Sequence, residues 1–373
     1  MKKICVVTAA RSEYGPLKWL MHDINQDKDF QLQLIVTGGH LLKEQGSTIN
    51  AIIEDGFKID AIVDSELDTS TPSCIAASMG RLAEKLAKTF SELKPDLLIV
   101  LGDRYELLSI CSTAFIMRIP IAHLSGGDIT EGAIDDGVRN AVTMMSDYHF
   151  PGTEDSAKNI ERMRGTNKNI WVVGEPGLDA FNRIKLMTRE QLADNLGLDI
   201  SKKWCLMTYH SETKKSLEYN IEVVRNCIEG LECYDDLQVI MTYSNADFGG
   251  EEINKILEDV AKKNHSKFKV VSSLGQLRYL SLMKQVFFVI GNSSSGIIEA
   301  PSVSVPVIDI GDRQKGRYHC KNVLHCENDI DEIINTINNI EYFVLDSRDC
   351  YYWGDGYTSE KIMKILHNEV LGE

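Results

Sequence analysis

Carboxylates gather at two points of this chain. One is Leu101-Gly102-Asp103-Arg104-Tyr105-Glu106; the other runs from His123-Leu124-Ser125-Gly126-Gly127-Asp128 through Ile129-Thr130-Glu131-Gly132-Ala133-Ile134 to Asp135-Asp136. Both begin where an apolar run stops, so Asp103, Asp128, Glu131 and Asp135 are expected at one edge of a sheet. Crowded carboxylates repel, and the repulsion raises the pKa of at least one of them toward the range useful for proton transfer. Taken singly, each acid is equally explained as a cap on the helix that follows it; taken together they point to acid–base chemistry.

A different pattern occupies the second half: Gly291-Asn292-Ser293-Ser294-Ser295-Gly296-Ile297-Ile298-Glu299. Small hydroxyl residues and glycine between a strand and a helix leave amides free to hold a diphosphate, with Ser293 and Ser294 foremost. The plain alternative is a serine-rich helix cap. Glu299 falls about one and a half turns into that helix, in reach of a ribose, and Gly311-Asp312-Arg313-Gln314-Lys315-Gly316-Arg317 brings cations after the next strand, Arg313 among them. His210, followed by Ser211 and Glu212, ends the run from Cys205 to Tyr209 and is expected in the same cleft, although a lone histidine is commonly a satisfied structural residue. Asn245 and Arg11 are further polar residues at strand ends, and Arg104 follows Asp103 directly.

These residues need a scaffold that gathers strand ends. Apolar runs at Ile4–Ala9, Leu32–Val36, Leu97–Leu101 and Ile119–His123 alternate with helical periodicity, the signature of a parallel sheet buried on both faces. Pro16 is expected as a first helical residue, after a loop from Arg11 to Gly15. A second series has runs at Cys205–Thr208, Val239–Thr242, Lys269–Val271, Phe287–Ile290 and Val305–Ile310, and the chain closes with a helix over Ser359–Leu371. The fold class is therefore α/β, with two Rossmann-like domains: 1–175 joined by 357–373, and a nucleotide-binding 176–356. Open parallel sheets bind ligands beyond the carboxyl ends of their strands, so the cleft between the two is the expected site.

Composition agrees with that plan. The 373 residues, 43% of them hydrophobic, can bury two cores. A formal net charge of −15 excludes a nucleic-acid surface, so any phosphate must be met locally. The N-terminal apolar stretch ends at Arg11 and Glu13 and reads as a strand rather than a signal peptide. No stretch approaches the roughly 20 apolar residues of a membrane span. The nine cysteines show no CxxC or zinc spacing, which points to a reducing cytoplasm and no metal.

The stretches Gly102 to Glu106, His123 to Arg139, Gly291 to Glu299 and Gly311 to Arg317 resemble the UDP-N-acetylglucosamine 2-epimerase family, and within it the hydrolysing branch that feeds sialic and legionaminic acid synthesis. The resemblance runs nearly end to end. It implies the GT-B fold, no cofactor, a homodimer or homotetramer, and a reaction in which a base removes the C2 proton while UDP leaves C1 on the opposite face. Water then adds to the resulting 2-acetamidoglucal and releases the free 2-epimer. By motif, Asp103 and Asp135 match the family's acids, and Arg11, His210, Asn245, Ser293, Ser294, Glu299 and Arg313 match positions that contact UDP. Ser125 departs from the pattern, since several relatives carry Glu there; Asp128 or Glu131 then takes its part. The implied substrate is UDP-N-acetylglucosamine, giving N-acetylmannosamine, with the UDP-2,4-diacetamido-2,4,6-trideoxy sugar as the alternative. A GT-B glycosyltransferase shares the cleft but needs an acceptor site, and a non-catalytic UDP-sugar sensor has no use for the collected acids.

Overall fold

The computed structural model describes residues 1–42, 48–131, 133–340 and 349–370. Gly132 in the acidic segment and Leu371 at the expected end of the last helix lie outside the described residues. The chain divides into two units: unit 1 is Met1–Asp128, Ile134–Arg183 and Trp353–Glu373, and unit 2 is Ile129–Ala133 with Ile184–Tyr352.

Unit 1 carries β1 (Lys2–Thr8), β2 (Phe30–Thr37), β3 (Ala61–Val63), β4 (Leu97–Leu101), β5 (Ile121–Leu124) and β6 (Tyr148–Phe150). All neighbours pair in parallel, in the order β3-β2-β1-β4-β5-β6. Alternate residues of β1 enter opposite cores. Ile4 and Val6 pack with Leu17, Leu20, Met21 and Ile24 of the helix Arg11–Gln26 and with Ile362 and Leu366 near the C-terminus. Cys5 and Val7 pack with Leu82, Leu86 and Phe90 of the helix Pro72–Leu93 and with Leu107 and Ile110 of the helix Glu106–Ile116. This double burial is why the strands read as unbroken apolar runs.

The first helix starts at Arg11, not at Pro16, which lies inside it. The Glu13 carboxylate reaches back to the amides of Ala9 at 2.6 Å and Ala10 at 3.1 Å, so the helix opens on an acidic side chain upstream of the proline. The last helix spans Thr358–Ile365 and continues as a π-turn over Leu366–Val370. Both oxygens of Asp179 cap it, accepting from the amides of Thr358 and Ser359 at 2.7 Å each. No helix among the described residues is long and apolar enough to cross a membrane.

Unit 2 carries β7 (Lys203–Thr208), β8 (Leu237–Thr242), β9 (Phe268–Val271), β10 (Phe288–Gly291), β11 (Val307–Ile310) and β12 (Val323–Cys326), all parallel, in the order β12-β11-β10-β7-β8-β9. In both sheets the order is that of a doubly wound dinucleotide-binding fold, with the chain reversing direction across the sheet between β1 and β4 and between β7 and β10. Cys205, Met207, Val239, Met241, Phe288 and Ile290 bury one face of this sheet against Val223, Val224, Cys227 and Leu231 of the helix Leu217–Glu232.

At the β7/β10 seam Gly291, paired with Thr208, has a φ of +134°, and an added Cβ there would stand 2.0 Å from the Thr208 carbonyl oxygen. Gly291→Ala is expected to destabilise the protein by about 3 kcal/mol or more, through a strained conformation plus a backbone clash. Gly80→Ala, in the helix Pro72–Leu93 with nothing within 4 Å of the new methyl, should be neutral or stabilising by roughly 0.5–1 kcal/mol. Urea denaturation followed by circular dichroism checks the pair.

Candidate active site residues in each unit

In unit 1 the reversal point lies at the ends of β1 and β4. Arg104, just beyond β4, is buried and makes a two-pronged ion pair with Glu106 at 3.1 and 3.2 Å. Glu13 is buried beside this pair, and desolvation first, then the Glu106 charge, push its carboxyl up to about 7. His40 is also buried; its ring nitrogens meet the hydroxyls of Thr8 at 2.9 Å and Thr48 at 2.7 Å. Burial, aided by the Arg104 cation, lowers its pKa to about 3 and keeps it neutral. Arg11 is the first residue of the first helix rather than a loop residue.

The acidic segments are organised by Arg139, which is fully buried. Its guanidinium pairs with the Asp103 carboxylate, donates to the Asp128 carbonyl at 3.0 Å and lies 3.5 Å from Asp136. Asp128 is buried and accepts from the Ser156 hydroxyl at 2.6 Å, and Asp135 opens the helix Asp135–Met145. Glu131 falls in unit 2, where its amide donates to the Lys315 carbonyl at 2.9 Å and its carbonyl accepts from Lys214. Arg139 therefore ties the Asp103 carboxylate to the Asp128 backbone, the Asp128 carboxylate is held by Ser156, and Glu131 is anchored elsewhere.

His123, at the end of β5, donates from Nε2 to the Gly102 carbonyl at 2.8 Å, and burial holds its pKa down at about 4. Ser125, two residues on, has a left-handed φ of +58° and donates its hydroxyl to Glu175 at 2.7 Å. Glu175 is buried, so a carboxylate does reach this strand end, from a segment that reads in sequence only as a turn between domains.

In unit 2 the reversal point is built on Asn292. Its side chain accepts from the His210 amide at 2.7 Å and donates to the His210 carbonyl at 2.8 Å, joining the ends of β7 and β10. Its own carbonyl accepts from Arg313 at 3.1 Å and from Gln314 at 2.8 Å. This places the Arg313 guanidinium at the carbonyl of the residue that precedes Ser293. The Asn245 amide donates to Nδ1 of His210 at 3.1 Å, so a neutral His210 carries its proton on Nε2 and presents a donor there.

The helix after Ser293 covers only Ser294–Ile298, and Glu299 is its C-cap rather than a residue well inside it. Pro301 follows, within a 3-10 turn over Ala300–Val303, and without an amide it cannot donate to an α-helical ladder. The macrodipole of such a short helix is small, so local amides and Arg313 carry any anion binding. Burial raises the Glu299 carboxyl to about 7, opposed by a hydrogen bond with Ser295, whose hydroxyl also meets Tyr279 at 2.6 Å. Asn292, Gln314, Arg139, Glu13, His40 and Glu175 were not singled out from sequence. The available signal was a polar residue near a strand end, but its partners are distant in the chain.

Two doubly wound α/β units with polar side chains at each reversal point define a two-domain Rossmann-like protein of the GT-B class. Within it, the chain belongs to the UDP-N-acetylglucosamine 2-epimerase family, whose model matches residues 22–367. It is 36% identical over 342 residues to the GDP/UDP-N,N'-diacetylbacillosamine 2-epimerase (hydrolyzing) of Campylobacter jejuni, covering 91% of this chain and 88% of the relative. It is 31% identical to the UDP-N,N'-diacetylbacillosamine 2-epimerase (hydrolyzing) of Legionella pneumophila, covering 100% and 99%. The UDP-GlcNAc 2-epimerase of Methanocaldococcus jannaschii, solved in complex with UDP-GlcNAc and UDP, shares the fold with a TM-score of 0.82 at 19% identity, over 98% of this chain and 99% of that one. The chain is thus an enzyme of the 2-epimerase family, and the glycosyltransferase and sensor readings give way to that membership.

The raised Glu13 carboxyl has a pH consequence. Its folded pKa of about 7 lies above the ordinary 4.5, so the fold favours the neutral form and loses this stabilisation as pH rises from about 4.5 through 7. Glu13→Gln, which cannot ionise, should gain on the wild type by up to about 3 kcal/mol between pH 5 and pH 8, the equivalent of the shift at 1.36 kcal/mol per unit. Parallel stability profiles for the two proteins across that range would show that Glu13 does not titrate as described.

Proposed function

We propose that the protein is a hydrolysing 2-epimerase of a UDP-activated 2-acetamido sugar. Membership of the family over residues 22–367 carries this reading, and the Asp103 carboxylate held at a strand end by the buried Arg139 supports it. Asp103, Asp128, Glu131 and Asp135 supply proton transfer: a base takes the C2 proton as the C1–oxygen bond to UDP breaks, and a second group delivers water across the resulting double bond. His210 donates through Nε2. In unit 2, Arg313 with the amides and hydroxyls of Ser293 and Ser294 holds the diphosphate, Glu299 and Asn245 complete the nucleotide contacts, and Arg11 and Arg104 of unit 1 offset the developing charge.

UDP-N-acetylglucosamine, giving N-acetylmannosamine and UDP, is the first substrate. The similarity to the Campylobacter and Legionella relatives favours the second reading, UDP-N,N'-diacetylbacillosamine. The enzyme is assigned to a reducing cytoplasm, since the nine cysteines carry no CxxC or zinc spacing. It is assigned a homo-oligomeric state through the exposed apolar side chains Leu108, Phe115, Ile116 and Met144.

Incubation of each UDP-sugar in deuterated water should release UDP and a free 2-epimer deuterated at C2, read by NMR; a product retaining its C2 hydrogen rules out elimination. Asp103→Asn should lower turnover by roughly a hundredfold or more, the usual share of acid–base catalysis, with UDP affinity nearly unchanged and the melting temperature lowered, because the buried Arg139 loses its carboxylate partner. Arg313→Ala should weaken UDP binding by about 1.5–3 kcal/mol without any metal requirement, and calorimetry showing unchanged affinity would place the diphosphate elsewhere.

A further inference from the structure

Glu131 differs from Asp103 and Asp128 in how it is held. The Asp103 carboxylate is committed to Arg139, and that of Asp128 accepts from Ser156. The Glu131 side chain is exposed, and among the described residues no hydrogen-bond or ion-pair partner reaches its carboxylate. Its backbone, in contrast, is fixed at both polar groups. The amide donates to the Lys315 carbonyl at 2.9 Å, and the carbonyl accepts from the Lys214 ammonium. A carboxylate without a protein partner, on a backbone tied at both its donor and its acceptor, is open to a ligand and already in place.

Both anchors belong to unit 2. The chain leaves unit 1 after Asp128, belongs to unit 2 from Ile129 to Ala133, and returns to unit 1 at Ile134. Lys315 lies two residues beyond Arg313, in the turn whose Arg313 and Gln314 side chains donate to the Asn292 carbonyl. Gly316 makes room for the segment: its φ is +88°, and a Cβ there would stand 2.6 Å from Cγ2 of Ile129 and 3.3 Å from Cγ of Glu131. Lys214 follows β7 by six residues, in the stretch that includes His210. Its side chain is exposed, and the Glu131 carbonyl is the partner that the described residues give its ammonium.

We propose that Lys214 is a positioning residue that clamps Glu131 onto the Lys315–Gly316 turn, so that this acid is carried by the nucleotide-binding unit and meets the sugar of the nucleotide held at Arg313. The inference rests on the reading of Glu131 as a proton-transfer group and of Arg313 as a diphosphate ligand. Acid and diphosphate ligand are then tied to one turn, and their separation is set inside unit 2. A reacting group displaced by about 1 Å can cost roughly a hundredfold in rate. Loss of the Lys214 anchor therefore acts on turnover while the nucleotide contacts stay in place.

The test is UDP release from UDP-N-acetylglucosamine and from UDP-N,N'-diacetylbacillosamine. With the sugar that the wild type turns over, Lys214→Met should lower kcat roughly tenfold and leave the Kd of UDP unchanged within about twofold. Lys214→Arg keeps a donor for the Glu131 carbonyl and should recover most of the loss. Glu131→Gln should lower kcat roughly a hundredfold, and adding Lys214→Met to it should cost nothing further, since the anchor acts only through that carboxylate. Hydrogen exchange read by mass spectrometry should show the peptide carrying the Glu131 amide exchanging several-fold faster in Lys214→Met and at the wild-type rate in Lys214→Arg. Losses that multiply in the double variant, or a Lys214→Met enzyme with wild-type kcat or unchanged exchange, overturn the role of Lys214. So does a UDP affinity that falls in step with kcat; each of these results leaves the epimerase reading intact. A wild type that releases UDP from neither sugar overturns that reading and this inference with it.

Discussion

Two neighbouring parallel strands whose connections depart in opposite directions cannot cover their own carboxyl ends. The backbone groups left there must find side-chain partners, because a buried unpaired amide or carbonyl costs about as much as a lost hydrogen bond. In unit 1 the Glu13 carboxylate takes the amides of Ala9 and Ala10, and His123 takes the carbonyl of Gly102. In unit 2 the Asn292 side chain takes both backbone groups of His210, and the His210 ring takes the amide of Asn245. The residues that satisfy the backbone are thereby the residues that fix the site, so stability and placement of polar atoms are one requirement.

Burial then sets the charge states. Glu13 and Glu299 are driven toward neutrality by desolvation, while His40, His123 and His149 are held neutral by the same cause acting on a base. Two buried guanidiniums, Arg104 and Arg139, bring fixed positive charge to unit 1. Arg104 is committed to Glu106, and Arg139 to Asp103 and Asp136. A buried cation of this kind adds little net stability, but its removal strands the carboxylates it neutralises. Arg139 is therefore better understood as the organiser of the acids than as a reacting group.

The long strands were legible because both faces are buried: β1, β2, β4, β7 and β8 read directly as apolar runs. The three-residue strands β3 and β6 and the edge strand β12 were not, since Ile62 of β3 is exposed and β12 reads Val-Leu-His-Cys. β11 begins at Val307, after Pro306, whose missing amide removes it from the ladder. The strand-end acids and the Gly-Asn-Ser segment were legible as polar residues after apolar runs. Their bonds were not, because the partners lie far apart in the chain: 82 residues from His210 to Asn292 and 36 from Asp103 to Arg139. Residue type marks the end of a strand; only the sheet order decides which ends meet.

Ser125 carries that point to its limit. Where relatives are expected to place a glutamate, this chain has a serine in the left-handed region, and the carboxylate beside it comes from Glu175, 50 residues later. The approach is built into the surrounding backbone. A Cβ on Gly152 would stand 2.0 Å from Oε1 of Glu175, and the Glu175 amide is tied to the Trp353 carbonyl at 2.7 Å. Glu175 is thus held from several sides, whereas Ser125 contributes a short side chain with a single hydroxyl. A strand end whose motif position holds a serine can still carry a carboxylate when a distant segment delivers it. The chemistry available there follows from where the carboxyl oxygens stand, not from the residue that occupies the motif.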